Sequence, residues 1–444
     1  MKEKIKAVLD KISAQILTAR RDFHKYPEIG WTEFRTASLI ARELYDLGFD
    51  VKAGKEVMDG NQRMGLPLEK ELALHWERAR VQGGDLEFLE KMKGGYTGVV
   101  GSMKNGEGPC IALRFDMDAL SIEESEEIKH LPFEENFSSE NLGVMHACGH
   151  DGHSAIGLGV AQLMVDLKED FHGTLKLIFQ PAEEGVRGAK SMLEAGVVDD
   201  VGYFVGHHLF PGWRIGELIC GMNNFAATQK MDVTFHGAPA HAGSNPQGGA
   251  NAILAAATAI LNLHAIERHS DGSTRINVGR MEAGAGRNVI CSEARLEIEV
   301  RGEDTDICDF VARRAQTILK AAAEMHNCRL DFDFVGEAEN VRCDSDFSEY
   351  VAKIAEAIGY ECMPPLKSAG SEDISWFMNR VNQNGGKATL IGIGADRFGI
   401  GLNDKENQDK VLVPHTSSFD FDELILPKTV ELLANIVFAL SRNK

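Results

Sequence analysis

The sequence predicts an α/β protein in which a large mixed sheet, flanked by helices, carries a smaller inserted α+β unit. Three observations lead to this prediction. The chain has 444 residues, more than one hydrophobic core usually supports, so we expect two domains. From residue 96 onward, short apolar segments alternate with helical ones, which is typical of a buried sheet covered by helices on both faces. Residues 227–337 interrupt this alternation with a βαββαβ pattern of their own.

The first domain is predicted to comprise residues 1–226 and 338–444. Its N-terminal residues 1–48 predict two amphipathic helices separated by KYPEIGW. Residues 55–95 are charged and mostly helical, and they interrupt the natural continuation of GFDVKAG, so we interpret them as an insertion. The strands that follow are TGVVGSM, CIALRFDMDAL, TLKLIFQ and YFVGHH, with SAIGLGVAQLMVDL as a helix among them.

The second domain, residues 227–337, is predicted to be one four-stranded sheet with two helices. The strand QKMDVTFHG comes first and the helix GGANAILAAATAILNLHAI second. STRINVGRMEAG and RNVICSEARLEIEVRG predict a hairpin, before the helix DICDFVARRAQTILKAAAEMH and the strand RLDFDFV. After this unit the first domain resumes, with the strand KATLIGIG and a final helix from Asp422.

Composition excludes several classes of partner and compartment. With 47 Lys and Arg against 67 Asp and Glu, the net charge of −20 would repel a phosphate backbone, so we expect no nucleic acid partner. Charges recur through the N-terminal segment, and no apolar run approaches the ~18 residues of a membrane span. Eight cysteines without a CxxC pair are typical of reduced thiols, so we expect a cytoplasmic protein.

Polar side chains of metal-binding type follow five predicted strands or loops. They lie in RFDMDAL (Asp116 and Asp118), MHACGHDGH (residues 145–153), FQPAEEG (Glu183 and Glu184), GHHLFPG (His207 and His208) and PHTSSFDFDE (His415 and Asp420). An open α/β sheet presents its ligands at strand ends, and thiolate, imidazole and carboxylate are the metal ligands of proteins. A lone histidine or glutamate pair is usually only solvated, but the five groups together predict a metal site.

The adjacent glutamates Glu183 and Glu184 suit metal-dependent hydrolysis. One carboxylate can hold a metal while its neighbour takes a proton from a metal-bound water, whose pKa falls to about 7. The same carboxylate can later protonate a leaving amine. This pairing predicts a hydrolase.

Together these motifs resemble the co-catalytic metallopeptidases, which include aminoacylases, carboxypeptidases and amino-acid-conjugate amidohydrolases. The resemblance rests on MHACGHDGHSAIGLGVA, RFDMDAL, FQPAEEG and FDFDE, and it extends to RRDFHKYPE at residues 20–28. It implies a zinc-peptidase-like mixed sheet with an inserted ferredoxin-like lid and dimerisation domain. It also implies a metal-dependent amidohydrolase that cleaves an N-acyl or N-aroyl amino acid.

The resemblance assigns roles in the first domain residue by residue. It implies two divalent metal ions, manganese or zinc, held by Cys148, His150, Glu184, His208 and His415. Glu183 takes the position of the general base, and Asp118 that of a carboxylate that orients a ligand. His146, His153 and His207 fall outside the ligand positions, so we expect them to pack or to donate hydrogen bonds.

The resemblance also assigns roles around the inserted domain. His241 would stabilise the developing oxyanion across a dimer interface. Asn288 and Arg301 would bind the substrate carboxylate, although a surface ion pair is the alternative for Arg301. Gly370 and Ser371, in the segment AGSED, would face the substrate.

Four stretches resemble most the branch of the family that cleaves p-aminobenzoyl-glutamate to p-aminobenzoate and glutamate: EVMDGNQRMGLP, KGGYTGVVG, IFQPAEEGVRGAKSMLEAGVVDDV and NVGRMEAGAGRNV. We therefore expect that substrate, with a general N-acyl-amino-acid hydrolase or a carboxypeptidase as the alternative. The expected partner is a second copy of the chain or a related B-type subunit. Hydrolysis by a Cys148 nucleophile would leave the glutamate pair unexplained, and a non-catalytic subunit would not need Glu183.

Overall fold

The computed structural model describes residues 1–223, 225–364 and 370–442. Its helices are α1 Lys2–Lys25, α2 Phe34–Asp46, α3 Glu69–Val81, α4 Leu86–Met92, α5 Leu131–Glu134, α6 His150–Asp166, α7 Ala189–Glu194, α8 Ala252–Leu263, α9 Thr305–Met325, α10 Ser345–Ala357, α11 Ser375–Gln383 and α12 Ile425–Leu440. In the described part of the chain, no helix is both long and apolar enough to span a membrane.

The strands form two separate sheets. They are β1 Asp50–Ala53, β2 Val99–Asn105, β3 Cys110–Asp116, β4 Gly173–Gln180, β5 Tyr203–Arg214, β6 Glu217–Cys220, β7 Ala227–His236, β8 Thr274–Ala283, β9 Glu293–Gly302, β10 Arg329–Ala338, β11 Glu361–Met363 and β12 Lys387–Asp396. The large sheet has the order β1-β2-β4-β3-β5-β12-β6-β11, and the small sheet has the order β10-β7-β9-β8.

The large sheet is mixed, and helices cover both of its faces. Its central neighbours β4, β3, β5 and β12 run parallel, whereas β1, β2 and β6 introduce antiparallel pairs. Successive residues of a strand point to opposite faces. In β5 the ring of His207 contacts His153 of α6, while Gly206 abuts Ile374 at the start of α11. The predicted mixed sheet flanked by helices is therefore confirmed.

The segment 55–95 lies between β1 and β2, which pair directly as antiparallel neighbours. It contains α3 and α4, and its apolar side chains Leu72, Phe88 and Met92 are buried in the main core. The indole of the fully buried Trp31 donates to the carbonyl oxygen of Met64 at 2.8 Å. The segment is thus packed against the first domain, and its residues 63–66 line the same cavity as Glu184 and His415.

The small sheet is antiparallel throughout, and helices α8 and α9 cover one face of it. Alternation along β7 and β9 sends apolar residues such as Val233 and Ile298 into a separate core. The other face, here called the open face, carries charged residues: Lys230, Asp232, Arg295, Glu297, Glu299 and Arg301. The helix predicted from GGANAIL begins later, at Ala252, because the Asn251 side chain accepts from the Ile253 N–H and caps it.

Candidate metal centre and active site

The predicted metal ligands come from loops, from the start of α6 and from strand β5, which meet at one edge of the large sheet. Strand β3 ends at Asp116 and the parallel strand β4 ends at Gln180, so the loops that follow them are neighbours. The Cys148 loop runs into α6 through Gly149, whose φ of 92° is in the left-handed region that favours glycine. The backbone N–H of His415 donates to the carbonyl oxygen of Ala147 at 2.8 Å and brings the last loop to the same place.

The ligand atoms fall into adjoining groups whose members lie within 4.8 Å of one another. One group is Cys148, His150 and His208, and another is Cys148, Glu184 and His415. The two groups share the Cys148 thiol. All five predicted ligands are therefore gathered in one place, in an arrangement that could hold two metal ions side by side.

Two of the imidazoles are oriented for metal binding. Nδ1 of His150 donates to the carbonyl oxygen of Asp118 at 2.8 Å, and Nδ1 of His208 donates to that of Leu209 at 2.8 Å. In its neutral form each ring keeps a lone pair on Nε2. Although burial opposes protonation, Asp116 raises the pKa of His150 well above its usual range, so a bound ion would displace a proton from this ring. Nε2 of His150 is buried without a hydrogen-bond partner among the described residues. Because buried polar atoms are normally paired, this nitrogen fits a metal ion.

Negative charge accumulates around the general-base candidate. Burial, together with the carboxylates of Glu372 and Glu184, raises the pKa of Glu183 well above its usual range. Burial, only partly offset by Arg114, raises the pKa of Glu372 to about 7 and that of Asp373 to about 6. Bound cations would relieve this repulsion and favour the ionised carboxylates, so the electrostatics also fit divalent metals.

Asp118 fixes the turn that carries both glutamates. Its two carboxylate oxygens accept from the backbone N–H groups of Glu183 at 3.0 Å and Glu184 at 2.9 Å. On either side of the pair, Ala182 and Val186 adopt left-handed φ values of 50° and 60°. Such backbone costs roughly 1–3 kcal/mol per residue and persists only where the surroundings impose it. Asp118 thus positions the turn through its carboxylate and His150 through its carbonyl group.

With this geometry in view, comparisons with known proteins decide the family. The model of peptidase family M20/M25/M40 matches residues 112–437. The chain belongs to peptidase family M20/M25/M40. The A subunit of p-aminobenzoyl-glutamate hydrolase from Escherichia coli K12 is 43% identical over 439 residues, which cover 97% of each chain. Membership confirms the prediction of a metal-dependent amidohydrolase, and this similarity confirms the resemblance to the p-aminobenzoyl-glutamate branch.

Two further relatives agree with this assignment. The indole-3-acetyl-aspartic acid hydrolase of Enterobacter agglomerans is 44% identical over 423 residues, which cover 94% of this chain and 93% of the relative. The crystal structure of an aminobenzoyl-glutamate utilization protein from Klebsiella pneumoniae is 38% identical, covers 98% of each chain and has a TM-score of 0.83. The similarity therefore extends over both sheets.

The protonation states of Cys148 and His208 argue against a cysteine nucleophile. Sγ of Cys148 lies 3.5 Å from Nε2 of His208, but the two groups do not form a thiolate–imidazolium pair. Burial and the Glu184 carboxylate raise the pKa of the Cys148 thiol to about 12, and burial beside His153 lowers the pKa of His208 to about 3. Both groups are therefore neutral near pH 7, and without a metal the thiol is a poor nucleophile.

Two carboxylates beside Glu183, those of Glu372 and Asp373, were not predicted from the sequence. Glu372 and Asp373 group with Glu183 as a third set of possible ligand atoms. Asp373 accepts from the N–H groups of Gly188 and Ala189 at 3.1 and 3.0 Å, so it braces the segment after the glutamate pair. Both carboxylates belong to the segment AGSED, in which only Gly370 and Ser371 have predicted roles. Two acidic residues next to a predicted substrate loop are the signal that could have identified them. The Asp116–His153 pair, with Nδ1 2.5 Å from Oδ1, supports the same loops.

Two buried histidines near the predicted ligands, His207 and His146, pack among other side chains. His207 is buried against the rings of Phe115 and His153, at centroid distances of 5.2 and 4.9 Å. Burial and His153 lower the pKa of His207 well below its usual range. Burial lowers the pKa of His146 to about 3. These rings are neutral, which agrees with the expectation that they pack.

Predicted substrate residues of the small sheet form a group of their own. The loops of His241 and Asn288 meet, because the Ala242 N–H donates to the carbonyl oxygen of Asn288 at 3.0 Å. Nδ1 of the exposed His241 accepts from the N–H groups of Gly243 and Ser244, each at 3.1 Å. Its proton therefore lies on Nε2. His241 binds its own turn in this chain, and its role stays a prediction.

Arg301 and the AGSED loop lie in different surroundings. Nε and Nη2 of Arg301 donate to the two carboxylate oxygens of Glu299 at 2.9 and 3.0 Å, the ion pair foreseen as the alternative. The carbonyl oxygen of Gly370 accepts from the Ala226 N–H at 2.9 Å, where the chain enters the small sheet. Oγ of Ser371 is buried without a hydrogen-bond partner in the described ranges. The substrate roles of these residues stay predictions.

Proposed function

We propose that this M20 member hydrolyses the amide bond of an N-acyl or N-aroyl amino acid, with p-aminobenzoyl-glutamate as the first substrate. The observation that carries the proposal is the gathering of Cys148, His150, Glu184, His208 and His415 beside the buried Glu183. The relatives support the choice of substrate, because two of them are named for hydrolysis of a glutamate and an aspartate conjugate. Residues 1–226 and 338–444 would form the catalytic domain and residues 227–337 the lid.

The proposal places two divalent ions on the five ligands. Thiolate and imidazole favour zinc, whereas the carboxylate also suits manganese. When bound, the ions supply Lewis acidity that polarises the amide carbonyl and lowers the pKa of water. Cys148, shared by both groups of ligand atoms, could contact either ion.

Glu183 moves the proton in the proposed reaction. Its carboxylate accepts a proton from the attacking water and returns it to the leaving amine nitrogen. The carboxylate is buried next to the proposed ligand Glu184 and beside Glu372 and Asp373, so these neighbours and the bound ions together would set its affinity for the proton. Asp118 takes part as a positioning residue, since its carboxylate holds the Glu183 and Glu184 N–H groups.

His241 would act in a second subunit. Its Nε2–H points away from the N–H groups that bind Nδ1, so it can donate to the oxyanion of a substrate bound elsewhere. The exposed apolar side chains Leu254 and Leu261 of α8 lie in the same domain and support a contact between subunits there. We propose a homodimer, with a heterodimer as the alternative, because two relatives are named as an A-type subunit or its homologue.

Four further residues are proposed to bind the substrate. Asn288 and Arg301 would grip the α-carboxylate, for which the guanidinium offers a bidentate pair of donors. Gly370 and Ser371 would contact the scissile group, and the unpaired buried Oγ of Ser371, judged over the described residues, supports this. All eight cysteines, each within the described ranges, are free thiols, which supports a reducing compartment such as the cytoplasm.

A hydrolysis screen combined with metal analysis tests the proposal. Protein reconstituted with Mn²⁺ or Zn²⁺ is offered p-aminobenzoyl-glutamate and a panel of other N-acyl amino acids. We expect two ions per chain by elemental analysis, release of p-aminobenzoate and glutamate, and loss of activity with a chelator. A protein that retains no metal after reconstitution would contradict the proposal. So would equal activity on the α-carboxamide of the substrate.

A further inference from the structure

A cavity of about 1170 Å³ separates the loops that carry the predicted metal ligands from the small sheet. Glu184 and His415 line one wall, and Lys230 and Asp232 on the open face line the wall opposite. Residues 63–66 of the segment 55–95 line a third side. Ligand pockets commonly hold about 300–1000 Å³, so the cavity is large enough for an aroyl amino acid. The segment therefore forms part of the proposed substrate site.

Arg187 joins this segment to the metal-type loop. Its Nε donates to the carbonyl oxygen of Glu184 at 3.0 Å, and its Nη1 donates to that of Gly65 at 3.3 Å. Gly65 has a φ of 58°, and a Cβ there would lie 2.8 Å from the carbonyl oxygen of Val335 in β10. The Glu184 loop, the segment 55–95 and strand β10 thus meet near the Arg187 guanidinium. This end of the cavity, closest to the predicted metal ligands, is called the metal end.

Lys230 faces Arg187 from the small sheet. Its electrostatic interactions reach Glu183 and His415, so it also lies at the metal end. Its ion pair with Glu299 is long, at 4.0 Å, because Arg301 holds both oxygens of that carboxylate. Burial lowers the pKa of Lys230. A partly buried ammonium with a distant counter-ion would gain from a closer carboxylate.

Arg63 adds a third cation from the segment 55–95. Its guanidinium lies 3.6 Å from the centre of the Tyr96 ring and donates from Nη1 to the carbonyl oxygen of Gly94 at 2.5 Å. Its Nε is buried and, within the part of the chain that the structure describes, has no hydrogen-bond partner. The stacked guanidinium is held in one orientation and keeps a donor for a ligand.

The outer part of the cavity has the opposite charge. Asp232 lies two residues beyond Lys230 on β7, about 7 Å farther along the strand. Glu297, Asp331 and Asp333 line the cavity with it, and these four carboxylates outnumber the cation Arg295, which also lines this part. Burial and Glu297 raise the pKa of Asp232, as expected where carboxylates crowd. An anionic ligand group is therefore repelled from the outer part and attracted to the metal end.

We propose that Lys230, Arg187 and Arg63 bind the side-chain carboxylate of a dicarboxylic amino acid in the conjugate. The segment 55–95 is then a specificity element, because it supplies Arg63 and the Gly65 carbonyl group that holds Arg187. The inference rests on the proposed amidohydrolase function and adds a second carboxylate site to the one assigned to Asn288 and Arg301.

The test compares two substrates that differ only in side-chain charge, the p-aminobenzoyl conjugates of glutamate and glutamine. Metal-reconstituted wild type should prefer the glutamate conjugate in kcat/KM by about 10-fold or more. Lys230→Met should lower kcat/KM for the glutamate conjugate about 10- to 100-fold and change that for the glutamine conjugate by no more than about threefold. Arg63→Gln should have the same selective effect, and Lys230→Arg should restore part of the preference.

Arg313→Gln is the matched control, because Arg313 is an exposed arginine of α9, which covers the face of the small sheet opposite the cavity. It should leave both values unchanged. A wild type that hydrolyses both conjugates equally would overturn the carboxylate site and leave the amidohydrolase function standing. Equal losses on both conjugates in folded Lys230→Met and Arg63→Gln would also overturn it. Hydrolysis of neither conjugate, nor of any other N-acyl amino acid, would reject the proposed function and this inference together.

Discussion

The edge of the large sheet and the open face of the small sheet border the same cavity, but they hold their polar residues in different ways. At the edge, His150 and Asp116 are 0% exposed, and Asp118 and Asp373 each accept two or more backbone or side-chain hydrogen bonds. On the small sheet, His241 is exposed and the Arg301 side chain is 30% exposed. Nδ1 of His241 accepts from its own turn, and Arg301 pairs with Glu299 of its own strand.

This difference indicates that the large-sheet edge has a fixed geometry, whereas the small-sheet residues can change their contacts. Buried polar groups with several hydrogen-bond partners, such as Asp118 and Asp373, hold one geometry. Nε2 of His150, which has no partner among the described residues, is an atom that a metal ion would satisfy. Exposed pairs contribute little to stability and are easily exchanged for other partners. The large-sheet edge is therefore preorganised for chemistry within one chain. The small-sheet residues can exchange their present partners for a substrate or for a second subunit.

The largest expected effect is at the buried edge. Glu183→Gln should lower kcat about 10²- to 10⁴-fold, because the amide cannot accept the proton from water. Metal content should stay unchanged, since Glu183 is not among the proposed ligands. Steady-state kinetics with elemental analysis of the same sample measure both, and Glu282→Gln, an exposed acid of β8, is the control. A Gln variant with near-normal kcat would show that another group is the base.

An effect of about 10²- to 10³-fold in kcat is expected for His241→Ala if the exposed histidine serves a second subunit. His264→Ala, at the exposed end of α8, should have no effect. Co-expression of His241→Ala with Glu183→Ala should restore part of the activity, because a mixed dimer assembles one site with both residues intact. Purified mixed dimers no more active than either parent would exclude action of His241 in trans.

The smallest effect concerns folding at the buried edge. Nδ1 of His24 lies 2.8 Å from Asp151 and its Nε2 lies 2.9 Å from Glu124. Burial and Arg20 oppose protonation of His24, but the two carboxylates outweigh them and raise its pKa to about 9. Since the unfolded pKa is about 6.5, the stabilisation is fully present below that pH and is lost as the pH rises to about 9.

We expect this loss to reach about 3 kcal/mol in the free energy of unfolding at most. Urea unfolding of wild type and His24→Asn, from about pH 6 to about pH 9.5, measures it. The wild type should lose stability across this window, and the variant should lose distinctly less. Parallel curves would show that the charged network does not stabilise the edge.

The sequence by itself determined the two sheets and the five metal-type groups. Strand periodicity and strand-end polar residues are local signals, and parallel neighbours bring their ends to one edge whatever the loops do. The prediction that Cys148, His150, Glu184, His208 and His415 lie together needed only this rule and the family resemblance, and the structure shows the five gathered.

Only the tertiary structure decided which distant groups complete the site. Asp373 lies 193 residues from Gln180, yet it accepts from that amide at 2.8 Å and lies within 4.8 Å of a Glu183 oxygen. The segment 55–95 lines the cavity because Trp31 and Arg187 hold its loop there. Neither contact has a periodic or strand-end signal. They arise from packing between elements far apart in the chain, where shape and the pairing of buried charges choose the partners.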